Sequence, residues 1–409
     1  MQKENNKIAI IGGGASGLVA GIIALRNGGD VSIFEKSSRP ARKILASGNG
    51  RCNISNENIH ISRYHGEDLS LAKKVLDRFD EIAFKKFFQS IGLEIFKQEN
   101  GKYFPLSLQA SSISDALVYE FKTLGGNLYL NNFVEKIEKK NDKFILHVNS
   151  STRNFDKVLI SSGSPAMEKL GSSSSGYEFA KGFGHEISPL FPSLVQLICK
   201  GKNQDASGVK FQADVSLCVE NQLTQSIFGD LLLTNYDLSG SAILDISRQT
   251  SKALMENKNT QISLDCLRDF SRQKLTKTIE NFAKNSPNKP INLLLNGLIN
   301  KKLANLIIKH CNIPHNLASK DLNKKHINAL SYTLKNLKYT PAATKGFENA
   351  EVVAGGVKFK DLDANLQSKL VKGLYFSGEV LDIDGDCGGF NLHWAWASGF
   401  VCGEEMAKT

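Results

Sequence analysis

Three glycines at a fixed spacing, followed one strand later by an acid, are the residues of this chain that most directly imply a chemistry. Gly12, Gly14 and Gly17 follow the apolar run Ile8, Ala9, Ile10, Ile11 and lead into a helical stretch from about Ser16 to Arg26. In a GxGxxG turn of this kind the first glycine permits the tight strand-to-helix turn. The second lets a pyrophosphate approach the backbone, and the third allows helix to pack closely on strand. The helix N-terminus then offers unpaired amides and a partial positive charge to the diphosphate. Val31 to Phe34 form a second apolar strand ending in Glu35. There a carboxylate accepts hydrogen bonds from the ribose hydroxyls of an adenosine and repels a 2′-phosphate, so the expected dinucleotide is FAD or NAD rather than NADP. Near the far end, FSGEVLDIDGDCGGFNLHWAWASG from Phe376 to Gly399 has the character of a closing half that returns to the same cofactor.

Elements of both periods are needed to position these residues. Up to about Pro189 the pattern is α/β, with helical stretches near Leu69 to Ser90 and Ser112 to Leu124 and strands near Asn127 to Leu130, Phe144 to Asn149 and Lys157 to Ser161. The last of these ends at Ser162 and Gly163, where the chain is expected to pass beneath the cofactor again. From Ser193 to Ser247 the pattern becomes alternating, as in Asp214 to Glu220 and Asp230 to Thr234, and predicts a small antiparallel sheet or barrel. From Thr260 to Lys338, Leu264, Leu267 and Phe270, then Leu293, Leu294 and Leu298, then Leu303, Leu306 and Ile307 follow a helical spacing broken at Pro287, Pro290 and Pro314. That stretch is expected to be all helical. Short strands return near Tyr339 to Val357, and Gly373 to Gly378 supplies a last Rossmann strand. The fold class is thus α/β, a Rossmann-type FAD-binding domain of the two-dinucleotide-binding kind, interrupted by a small β domain and a basic helical insert. The expected boundaries are 1–189, 190–250, 251–330, 331–349 and 350–409.

A chain of 409 residues suggests two or three domains. The formal net charge of +10 is concentrated: Lys252 to Lys338 holds 16 Lys and Arg against 5 Asp and Glu, a local balance of +11. One insert therefore suits a polyanion such as RNA, or else it is a lysine-rich solvated surface. No apolar run approaches the roughly 20 residues that span a bilayer, and the first strand starts almost at Met1, so a cytoplasmic protein without membrane partners is expected. Seven dispersed cysteines without a CxxC pair argue against a disulfide framework and against a zinc site, and no metal is expected.

Beyond the two terminal signatures, four further segments carry a resemblance: RPARKILASGNGRCNISN at Arg39 to Asn56, KYFPLSLQASSISDAL at Lys102 to Leu117, LTNYDLSGSAIL at Leu233 to Leu244 and AEVVAGGV at Ala350 to Val357. With these in order, the chain resembles the YhiN/BaiN-like family, also called the aminoacetone oxidase family of FAD-binding flavoproteins, over essentially its whole length. The resemblance implies bound FAD, a two-dinucleotide-type cofactor domain and an inserted cap of strands and helices.

The residues themselves agree with a flavin. Arg42 and Lys43 place cations where a diphosphate needs neutralising, while Ser47, Gly48, Gly50 and Asn53 suit a loop that approaches a flat ring with polar edges. Arg51 is a candidate to stabilise negative charge at the N1/O2 edge of the reduced ring, with an interdomain salt bridge as its alternative. Glu379 and Asp382 are candidates for ribityl or phosphate-linked hydroxyls, and Gly388 and Gly389 open a helix from about Asn391 whose amides would face the flavin O2. The cofactor-binding set also takes in Ala15, Ser16, Lys36, Val134, Phe390 and Leu392. Cys52 and Cys387 are candidate proton donors beside the ring, against the alternative that each is a small packing residue. Three departures from the family pattern stand out. Thr234, Asn235, Asp237, Ser239, Gly240 and Ser241 occupy a segment where the family has a Thr-His pair and then Gly-x-Ser-Gly-Pro, so that histidine is missing. Phe390 and His393 occupy positions where Tyr and Gln are common, which makes His393 a candidate replacement donor or else a polar helix residue at a domain contact.

The activities implied by the resemblance differ: reduction of a uridine in ribosomal RNA, reductive steps on steroid-like bile acids, and amine oxidation. For RNA, NADH or NADPH would reduce the flavin, hydride would pass to uracil C6, and an acid would protonate C5. The basic stretch 252–338 would grip phosphates, and its charge favours this substrate. A small-molecule oxidase or reductase would need only an apolar pocket, and a flavin-containing binding protein would show no turnover with a nicotinamide.

Overall fold

The computed structural model describes residues 6–200 and 204–408. The chain divides into two compact units: one runs through Phe191 and resumes at Glu351, and the other spans Pro192–Ala350.

The first unit is built on a five-stranded sheet. Its strands are β1 (Lys7–Ile11), β2 (Asp30–Glu35), β3 (Asn127–Leu130), β4 (Lys157–Ile160) and β5 (Leu374–Phe376), in the spatial order β5-β4-β1-β2-β3. All four pairings are parallel, with Ile10 opposite both Leu159 and Ile33. A parallel strand covered on both faces must be apolar throughout, which explains why Ile8 to Ile11 are buried without alternation. The crossover from β1 to β2 is α1 (Ala15–Arg26), and the C-terminal α2 (Phe390–Met406) lies against it. Their contact is close because Gly399 and Gly403 face the backbone of Ser16 and Ala20, where a Cβ would meet Ser16 O or, at 2.6 Å, Ala20 O. The two terminal signatures of the sequence are thereby brought side by side.

The second unit has one hydrophobic core shared by strands and helices. Its seven-stranded sheet is antiparallel throughout, in the order Leu337–Tyr339, Thr260–Asp265, Lys210–Val219, Gln222–Thr234, Asp237–Ser239, Leu197–Cys199, Pro341–Thr344. This corrects the expectation of an all-helical stretch from Thr260. Thr260–Asp265 is a strand because Thr260, Ile262 and Leu264 alternate inward, and the apparent helical spacing from Leu264 to Phe270 crosses the strand's end. Sheet and helices therefore form one body here rather than a β domain followed by a separate helical insert. Among the described residues no helix is long and apolar enough to cross a membrane.

Candidate functional site

At the first turn, Gly12 has φ +105°, and a Cβ there would lie 2.5 Å from Ser161 O, so only glycine fits. A Cβ on Gly17 would collide with Gly12 O, whereas Gly14 faces open space. No side chain caps α1, so the amides of its first turn remain available to an anion. Glu35 is buried, and its carboxylate ties the turn together: Gly13 N donates to Oε2 at 2.9 Å and Ser37 N to Oε1 at 2.7 Å. Each oxygen keeps a lone pair for a hydroxyl. Glu35 lines a cleft with Gly12, Lys36, Val134 and Ser162, to which Asn132, Gly171, Ser173 and Ser175 also contribute. The last four were missed in the sequence because nothing in a serine-rich loop distinguishes a wall from a linker. Lys36 Nζ donates to Ser172 O at 2.6 Å, beside this cleft, and Gly163 turns the chain there with φ +78°. Ala15 opens α1, and Ser16 Oγ donates to Ser377 Oγ at 2.6 Å, linking α1 to the end of β5.

The loop after the short helix Arg42–Ala46 turns through left-handed conformations at Gly48, Asn49 and Cys52. A Cβ on Gly48 would lie 2.9 Å from Asn53 N. Lys43 does not stand free for a diphosphate: its Nζ donates to Glu379 Oε2 at 2.7 Å, while Glu379 Oε1 accepts from Val353 N at 3.0 Å. The two side chains thus pair with each other, while the ammonium keeps further donors and the carboxylate further lone pairs for a ligand. Arg42 has no ion-pair partner among the described residues. Exposed Arg51 sits over the Phe104 ring at 5.7 Å and has no ion-pair partner among the described residues of its own unit. Cys52 is fully buried beside the Ser47 hydroxyl, and burial pushes its thiol up to about 12. So weak an acid does not suit proton donation near neutral pH, and Cys52 is a packing residue.

At the C-terminal turn, Gly388 and Gly389 have φ +134° and +98°, and a Cβ on Gly389 would lie 2.5 Å from Ser55 O. Again no side chain caps the helix that follows, so the amides of Phe390, Asn391 and Leu392 have no capping side chain. Asn391 uses its side chain to close the turn, with Gly385 N donating to Oδ1 and Nδ2 donating to Gly385 O, both at 2.8 Å. Phe390 is buried edge-on against Tyr64, whose hydroxyl donates to the Phe390 carbonyl at 3.1 Å. Asp382 is buried and accepts from Glu67 N at 3.3 Å. Cys387 is half-buried in the turn.

His393 is buried with both ring nitrogens engaged within the protein, at the wall of a cavity that Ser55 and Asn56 also line. It is completely enclosed between Phe79 and Phe84. Nε2–H donates to Phe79 O at 3.1 Å, which leaves Nδ1 to accept from the Ser55 hydroxyl at 2.8 Å. Burial pulls its pKa down to about 4, against the Phe79 hydrogen bond and nearby Asp80, so the ring is neutral. Its role is to join α2 to the segments before it. In the second unit, Asn235, where the family histidine would stand, is exposed, and Gly240 with φ +101° takes the chain into the helix Ser241–Met255.

Among the buried polar atoms without partners in this unit, which also include Tyr177 Oη and His185 Nδ1, Ser162 Oγ lies at the adenosine-type cleft and Asn53 Oδ1 in the loop beside Gly389. Buried polar groups are ordinarily paired, so these two atoms are available to a polar ligand. Together with two uncapped helix N-termini and the Glu35 carboxylate, they fit a dinucleotide with a polar-edged ring, as FAD is. Sequence reasoning left out one charged neighbour of the C-terminal turn, Lys102, whose Cε lies 3.7 Å from where a Cβ on Gly388 would be.

The chain matches the HI0933-like protein Rossmann domain over residues 6–405. It is 36% identical to the 3-dehydro-bile acid delta(4,6)-reductase of Clostridium scindens, over 98% of this chain and 99% of that one. It is 30% identical to the ribosomal RNA dihydrouridine synthase of Escherichia coli, over 97% of each. Among solved structures, a flavocytochrome c3 fumarate reductase superposes with a TM-score of 0.51 at 15% identity, covering 99% of this chain and 78% of that one. The chain belongs to the HI0933-like family of Rossmann-fold flavoproteins.

Proposed function

We propose that this FAD-dependent oxidoreductase of the HI0933-like family uses a reduced nicotinamide to saturate a C=C bond conjugated to a carbonyl, and that its substrate is a uracil base in ribosomal RNA. The names of both relatives describe chemistry of this type: addition of a hydride and a proton across such a bond. Bound FAD supplies the hydride chemistry, which side chains alone lack. The residues that would hold it are Gly14 and the α1 N-terminus for the diphosphate, with Arg42 as countercharge, Glu35 for the ribose, and the 47–53 loop with the α2 N-terminus for the ring.

The observation that carries the RNA reading is where the charge lies. The unit Pro192–Ala350 has 21 Lys and Arg against 12 Asp and Glu, which accounts for +9 of the chain's +10. Within it, three cations sit over aromatic rings in neighbouring elements: Arg268 over Phe228 at 4.2 Å, Lys274 over Phe270 at 4.6 Å and Arg272 over Tyr332 at 5.3 Å. Phe228 and Tyr332 are each 43% exposed. Exposed rings with adjacent cations suit unpaired bases and their phosphates, and a small apolar substrate requires neither. A second reading, a steroid-like enone as substrate, is favoured by the higher identity to the bile acid reductase. Incubating the FAD-loaded protein with NADH or NADPH and either ribosomal RNA or a steroid enone decides between them: dihydrouridine in the RNA supports the first, and saturation of the enone alone supports the second.

A further inference from the structure

We propose that the first unit carries a further ligand site, distinct from the adenosine-type cleft: a cavity of about 290 Å³ between the segment Ser55–Ile61 and the junction of the helices Ser70–Arg78 and Glu81–Ser90, which takes a small organic dication such as an α,ω-diamine. That volume is at the lower end of the range that small-molecule sites occupy.

The floor of the cavity is buried, polar and already satisfied. Ser55 and Asn56 are buried and His393 is fully so. The Ser55 hydroxyl donates to His393 Nδ1, and His393 Nε2–H donates to Phe79 O. Asn56 Oδ1 accepts from Asn58 N at 3.0 Å, while its Nδ2 donates to Gly388 O at 3.0 Å. Such a floor offers shape but no net charge, so the rim decides what enters.

The rim is acidic in a chain whose formal net charge is +10. Glu57, Asp77, Asp80 and Glu81 line it against the single ammonium of Lys73. Three of these carboxylates share their charge with a lysine: Glu57 with Lys97 at 2.7 Å, Asp77 with Lys73 at 2.6 Å and Glu81 with Lys85 at 2.6 Å. These are exposed pairs, which exchange partners at little cost. Asp80 has no ion-pair partner among the described residues. Its Oδ1 caps the second helix by accepting from Ala83 N at 2.9 Å, which leaves Oδ2 for an incoming ammonium. Asp80 is also well placed as an anchor, because it follows Phe79, whose carbonyl is held by His393.

No three His, Cys, Asp or Glu side chains among the described residues stand close enough together to hold a metal ion. The negative charge is therefore spread around the mouth, and it suits a ligand with two separated charges better than one compact ion. Ile59, Ile61 and Leu76 supply apolar wall for the methylenes between those charges.

Isothermal titration of the FAD-loaded full chain with 1,4-diaminobutane tests the site. One saturable site is expected, weakened by added salt, with n-butylamine binding less tightly because it brings one charge. Asp80→Asn should lower the affinity for the diamine about tenfold or more, the usual worth of a hydrogen bond to a charged group. Asparagine caps a helix as well as aspartate does, so urea unfolding of this variant should match the wild type and exclude a folding defect. Glu57→Gln should also weaken binding, but less, since Glu57 already shares its charge with Lys97. Absence of saturable binding to the wild type overturns the proposal, as does equal affinity in Asp80→Asn. Equal affinity for n-butylamine and the diamine overturns the dication assignment.

Discussion

Acidification should weaken the fold through one buried ring, and His393→Gln should remove that weakness. The folded His393 titrates near 4, whereas the unfolded residue titrates near 6.5. Between those values the unfolded chain binds a proton that the folded one refuses, so stability rises with pH and is lost as pH falls. The shift corresponds to a loss of about 1.4 kcal/mol by pH 5.5 and about 3 kcal/mol by pH 4 relative to neutral pH. Glutamine does not titrate, yet its amide can donate to Phe79 O and accept from Ser55, so its own effect is a constant offset. Urea titrations at stepped pH, read from the fluorescence of buried Trp394 and Trp396, supply both curves. The difference between wild type and His393→Gln should grow as pH falls, since every other titrating group is common to both. Curves that stay parallel from pH 7.5 to 5 would refute the neutral, enclosed His393.

Denatured protein should release FAD and not FMN, as chromatography of the cofactor will show, because Glu35 and the α1 N-terminus form an adenosine diphosphate site that FMN cannot fill. Glu35→Ala should weaken FAD binding about tenfold or more in a fluorescence titration, since it also strands Gly13 N and Ser37 N, and Glu379→Ala should weaken it less. Reversing Lys301, Lys302, Lys324 and Lys325 to Glu should abolish action on RNA with FAD content intact, and should flatten the salt dependence by about 0.7 in slope per lost contact. These lysines lie in the first turns of their helices, where acidic residues favour the helix, so unfolding is not the expected cause. An unchanged salt profile would remove the RNA reading's main support.

The dinucleotide half of the fold was legible because its signals are local. An apolar strand, a glycine turn and a strand-ending acid sit within a single βαβ unit, and each glycine's role shows in its own φ or packing. What the sequence concealed is contact between distant segments. Lys43 reads as a phosphate cation until the chain brings Glu379 to it. His393 reads as a donor because α2 is apolar on nearly every side, so periodicity does not say which way its polar residues point. Thr260–Asp265 reads as helix because leucines three apart continue beyond its end, although its own six residues alternate.

Ribosomal RNA from cells lacking this protein, digested to nucleosides and fragments and weighed by mass spectrometry, tests the central claim most directly. The account predicts one uridine lighter by two hydrogens than in the parent strain, with the difference restored by the purified FAD-loaded protein and a reduced nicotinamide. Identical RNA from both strains, together with saturation of a steroid enone by the purified protein, would contradict it and move the basic unit's charge from substrate recognition to an ordinary solvated surface.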